Sequence, residues 1–88
     1  MELRDAAGML LAESAAHPEL LRLSRHAYDE LAAGRAVDHT VLSEMLREGA
    51  RKDVYGVLKR KYGEQAFENM VMVLAREVDR QAPVVVRR

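Results

Sequence analysis

The stretch 40–63, TVLSEMLREGARKDVYGVLKRKYG, decides how this chain folds. Val41, Leu42, Met45, Leu46, Ala50, Val54, Val57, Leu58 and Tyr62 recur at the i, i+3, i+4 spacing of an amphipathic helix, and Gly63 follows as a C′ residue. At about 100° per residue, however, Leu42, Met45 and Leu46 centre roughly 120° away from Ala50, Val54, Val57 and Leu58. A single straight helix would turn its apolar face away from the core halfway along. Gly49 lies at the change of face, and glycine is both a poor helix-interior residue and the usual C-cap. The pattern therefore predicts two helices, about 38–48 and 51–62, joined by a tight turn at Gly49. Asp38 or Thr40 supplies an N-cap for the first, and Asp53 places a carboxylate in the first turn of the second.

On the N-terminal side, Leu3, Ala7, Leu10 and Leu11 share one face of a helix over about 2–16, which the His17-Pro18 step ends. Proline suits the first turn of the next helix, about 18–33. There Leu20, Leu21, Leu23, Ala27, Tyr28 and Leu31 oppose Arg22, Arg25, His26, Asp29 and Glu30, and Gly34 closes it. On the C-terminal side, Ala66, Phe67, Met70, Val71, Leu74 and Val78 line a last helix over about 64–81. Met72 projects almost opposite that face and Val73 sits at its edge, so this helix is either central to the fold or shared with a partner. Pro83 stops it, leaving Val84-Val85-Val86-Arg87-Arg88 as an extended, flexible tail. The expectation is all-α: a compact bundle of four to five short helices in one domain, 1–82, followed by the tail 83–88.

Composition agrees. The 88 residues are 49% hydrophobic and 32% charged, and Ala, Leu and Val dominate the apolar set, with no Trp and one Phe. A domain of this size buries a modest core, which makes self-association as a homodimer a reasonable expectation. No cysteine is present, which removes disulfides, thiolate catalysis and thiolate zinc sites together. The N-terminus lacks the basic segment and apolar run of a signal peptide, and no stretch approaches the roughly 18 apolar residues of a membrane span. A cytoplasmic protein with no membrane contact is expected.

Function has to be sought in the charge pattern. The formal net charge is zero, yet residues 47–61 hold Arg47, Arg51, Lys52, Lys59, Arg60 and Lys61 against Glu48 and Asp53, a surplus of four positive charges. On a helix 51–62 the row Lys52, Tyr55, Lys59, flanked by Arg51 and Arg60, forms a compact face, and Arg and Tyr are common at binding hot spots. The leading expectation is a non-enzymatic protein–protein interaction module, an adaptor, inhibitor or regulator, whose Arg51, Lys52, Tyr55, Lys59 and Arg60 meet an acidic protein surface. Met72 and Val73 are the candidate dimer or partner contact. The alternative is a helix-turn-helix DNA-binding transcriptional regulator with 51–62 as recognition helix, for which basic side chains would hold phosphates. Its exposed positions lack the Asn, Gln or Ser often used at base edges.

Chemistry is not expected. His17, His26 and His39 match no His-x-x-x-His ligand pair, and Glu44, Glu48, Asp29 and Glu30 read as surface ion-pair partners of neighbours such as Arg47 and Arg51. There is no nucleophile elbow and no glycine-rich phosphate loop. No enzyme activity, cofactor or metal is implied.

Overall fold

Five helices follow one another in the computed structural model, which describes residues 1–82: α1 (Leu3–Ala12), α2 (Pro18–Ala32), α3 (His39–Arg51), α4 (Val54–Tyr62) and α5 (Glu64–Gln81). There is no strand among the described residues, so the all-α expectation stands. The expected extended tail falls on residues 83–88, outside the described part.

Where punctuation in the sequence is strong, helix boundaries follow it. Pro18 is the first residue of α2, where its missing N–H costs nothing. Gly34, at φ +82°, ends α2 in a Schellman arrangement: the Arg35 N–H donates to the Glu30 carbonyl and the Gly34 N–H to the Leu31 carbonyl. Gly63, at φ +89°, is the single residue between α4 and α5. Asp38 caps α3 by accepting a bond of 3.1 Å from the Thr40 N–H, which holds its carboxyl below the usual range.

Two expected boundaries move. The first helix ends at Ala12 rather than near 16, because the Ser14 hydroxyl and N–H both turn back to the Leu11 carbonyl, at 2.8 and 3.2 Å. A short side chain that competes for backbone carbonyls ends a helix this way. Gly49 is not a turn. It lies inside α3, and the chain breaks three residues later at Lys52–Asp53, where Asp53 takes the left-handed conformation at φ 57°, ψ 24°. The apolar face changes there: of the second set Val54 and Leu58 reach the core, whereas Ala50 remains in α3 and is exposed. Aspartate is one of the few residue types besides glycine that enter this conformation readily.

Packing explains the break. α5 touches α1, α3 and α4, while α2 packs on α1 and α3, so α5 is the central helix of the bundle. The core joins Ala6, Ala7 and Leu10 of α1, Leu20, Leu23 and Ala27 of α2, Leu42 and Met45 of α3, Val54 and Leu58 of α4, and Phe67, Met70 and Leu74 of α5. Val37 fills it from the α2–α3 connector. Leu3 and Leu11, expected inside, are only half-buried. Gln81 ties the end of α5 to that connector: its side chain donates to the Val37 carbonyl at 2.8 Å and accepts from the His39 N–H at 2.9 Å.

Candidate functional site

The turn at Lys52–Asp53 determines what α4 shows to solvent. Beginning α4 at Val54 puts Val54 and Leu58 in the core and turns Tyr55 inward against α3. The Tyr55 hydroxyl donates to the Leu46 carbonyl at 2.6 Å, and its ring meets Phe67 edge-on with centroids 5.0 Å apart. Burial pushes the phenol up to about 12. The ring lies directly on Gly49: a β-carbon there would stand 2.6 Å from Tyr55 Cε1. Glycine at 49 thus serves a close side-chain approach. Tyr55, expected on the solvent face, is instead the pin that fixes the α3–α4 corner.

The rest of the expected row is dispersed accordingly. Lys52 is in the turn, before α4 begins, so the i, i+3, i+7 register with Tyr55 and Lys59 does not form. It lies beside a cleft of about 310 Å³ that also involves His17, Pro18, Glu19 and Glu48. Arg51 is held by Glu48 at 2.6 Å, and Glu48 is not the surface residue its spacing suggests, being 6% exposed. Lys59 is exposed, its ammonium standing 5.0 Å over the Phe67 ring. Arg60 is exposed on the outer side of α4, its guanidinium near Gly56.

Partners drawn from outside the basic stretch reduce its surplus. Arg47 pairs with Glu44, and Lys61 with Glu13 of the α1–α2 connector at 2.7 Å, which raises the Lys61 pKa. With Arg51 bound to Glu48, the cations left without a carboxylate partner among the described residues are Lys52, Lys59 and Arg60, and Asp53 is the one acid of the stretch left beside them. The local excess falls from four to two.

Two apolar residues missed as surface groups accompany these cations. Val57 and Tyr62 fit the helical stripe, yet they are 37% and 40% exposed. Val57 precedes Arg60 by three positions, so both lie on the same outer side of α4. The second candidate pair divides as well: Met72 is 48% exposed, whereas Val73 is half-buried against the core.

Among the described residues no group of three or more His, Cys, Asp and Glu side chains is placed to hold a metal ion. His17 occupies the N-cap position of α2, His26 is exposed on its polar side, and His39 begins α3 with its imidazole 3.8 Å from Asp38. No helix among the described residues is long and apolar enough to cross a membrane. No family model, curated protein or solved structure matches this chain.

Proposed function

We propose that this chain is a small non-enzymatic binding module that docks an acidic protein surface on the outer side of α4 and the turn before it. The observation that carries the reading is the set Lys52, Lys59 and Arg60, cations without a carboxylate partner among the described residues, beside the exposed Val57. Cations of this kind steer an acidic partner and select against basic ones, while an apolar side chain among them supplies contact that salt does not screen. Tyr55 acts from behind, setting the orientation of α4 relative to α3.

A second reading, DNA binding by a helix-turn-helix, draws on the short turn between α3 and α4. The inward Tyr55 and the reduced charge weaken it, since duplex binding rests on many phosphate contacts. One pair of experiments separates the two. The variant Lys59→Glu/Arg60→Glu keeps its helical circular dichroism and no longer retains a partner that the wild-type chain captures; equal capture by both removes α4 from the account. A parallel titration with duplex DNA at about 50 and 200 mM salt decides the alternative: micromolar binding that collapses at the higher salt replaces the protein-binding reading.

A further inference from the structure

The exposed side of α5 carries an ordered pattern that its own monomer does not use. Glu64, Glu68, Met72, Arg76 and Arg80 follow one another at intervals of four residues, and all five are exposed. Such an i±4 row is one of the ridges by which helices pack. Its first half is acidic, its second half basic, and the one apolar residue stands at the midpoint. Helix dipole effects account for Glu64 in the first turn and Arg80 in the last, but fade within a turn. Glu68 and Arg76 lie beyond the first and last turns, out of that reach, and Met72 has no role in a dipole.

Engagement within the monomer separates the members further. Arg80 is bound to Glu77 of its own helix, whereas Glu68 and Arg76 have no ion-pair partner among the described residues. The two charges stand symmetrically, four positions on either side of Met72. At 1.5 Å rise per residue each is displaced about 6 Å along the axis from that methionine. Beside Met72 runs a shallow depression of about 260 Å³, lined by Met1, Asn69, Met72, Val73 and Arg76. A knob, an adjoining hollow and a charge pair of opposite sign about one centre form a self-complementary surface, as a two-fold contact requires.

We propose that two copies of this chain pair through α5, antiparallel, with the two-fold axis at Met72. Each Glu68 then meets the second copy's Arg76, the two Met72 side chains pack across the axis, and Gln65 is brought opposite Asp79. The ridge turns by about 40° per step, so the central members Glu68, Met72 and Arg76 face the second copy and the ends splay away. Such an interface is small, at the scale of weak and transient contacts, which points to association at about 10–100 µM. It does not use α4, so it stands or falls independently of acidic-partner docking there.

Sedimentation velocity over about 5 to 500 µM tests it, with circular dichroism as the control for folding. Wild type is expected to shift from monomer toward dimer, more strongly at low salt. Glu68→Arg and Arg76→Glu each set like charges against each other twice across the axis and are expected to weaken association by roughly tenfold or more. The decisive sample is their equimolar mixture. One variant then offers two arginines and the other two glutamates at the same sites. A parallel pairing would also let this mixture associate but would set like charges together in wild type. Association of both wild type and the mixture, with neither variant associating alone, is therefore the signature of antiparallel pairing about Met72. A wild type monomeric throughout, or an association that either reversal leaves unchanged, overturns the proposal. So does a mixture no better associated than its components; in either of the first two cases the ridge is left to a different chain or to solvent.

Discussion

Replacing Gly49 with alanine would normally stabilise a helix interior by about 1 kcal/mol. Here the opposite is expected. Gly49 is within α3, and a β-carbon there stands 2.6 Å from Tyr55 Cε1 and 3.3 Å from Cδ1. The ring cannot yield freely, because its hydroxyl is bound to the Leu46 carbonyl and its edge rests against Phe67. Moving it forfeits about 1 kcal/mol of hydrogen bond and about 1 kcal/mol of aromatic pairing, with a further 1 kcal/mol or so from disturbed packing. Against the helix gain, Gly49→Ala should cost about 2 kcal/mol, or roughly 8–16 °C in Tm for a domain of this size.

The test is a double-mutant cycle by urea and thermal unfolding. With Tyr55→Ala the obstruction is gone, and Gly49→Ala should then stabilise by about 0.5–1 kcal/mol, a reversal of sign and a coupling near 3 kcal/mol. Were Gly49 a turn residue at positive φ, alanine would destabilise in both backgrounds. A loss of similar size in both, or a Gly49→Ala protein as stable as wild type, refutes the close-approach account.

Three other measurements probe the same physics. A β-carbon at Gly56 would stand 2.8 Å from the Asp53 carboxylate and 3.4 Å from the Arg60 guanidinium, exposed side chains that can swing aside, so Gly56→Ala should raise stability by about 0.5–1 kcal/mol; a fall in the calorimetric Tm would contradict this. The Ser24 hydroxyl is buried with no hydrogen-bond partner among the described residues, and Ser24→Ala should stabilise by about 1 kcal/mol in urea unfolding, with an unchanged midpoint implying an unseen partner. The Tyr55 phenol ionises near 10 in the unfolded chain and at about 12 when folded, so between those values the unfolded state binds fewer protons and stability declines as pH rises. Unfolding midpoints of wild type and Tyr55→Phe between about pH 9 and 11 should therefore converge, and a constant gap would show that Tyr55 is not shielded.

What could be read in the sequence depended on how each residue conveys conformation. Pro18, Gly34 and Gly63 impose backbone geometry by themselves, and the limits of α2 and α5 fall within a residue of expectation. Gly49 conveyed the wrong message, because a glycine kept for a neighbour's approach looks the same in one dimension as a glycine kept for a turn. The true break rests on Asp53, whose left-handed conformation is uncommon enough that no sequence rule selects it over a nearby glycine. Once the break moves, the phase of the nine-residue α4 moves with it: Tyr55 goes in, while Val57 and Tyr62 come out. Periodicity over so few residues sets a period far better than a phase.

The net charge of α4 is not legible in a count along the chain for a related reason: neighbours in space are not neighbours in sequence. Glu13 precedes Lys61 by 48 positions and still neutralises it, while Glu44, just outside the counted window, takes Arg47. The two surplus charges that remain are set on an exposed helix where ions screen beyond about 8 Å. They can orient an approaching acidic surface, yet exposed pairs of this kind yield only about 0.2–1 kcal/mol each. Binding that depended on them alone would be weak at physiological salt. A partner held usefully at α4 must therefore also cover Val57, and Val57→Asp should reduce capture at high salt at least as much as the reversal of Lys59 and Arg60 does at low salt. If Val57→Asp leaves high-salt capture untouched, the outer side of α4 is a solvated cationic surface and the binding site lies elsewhere on the bundle.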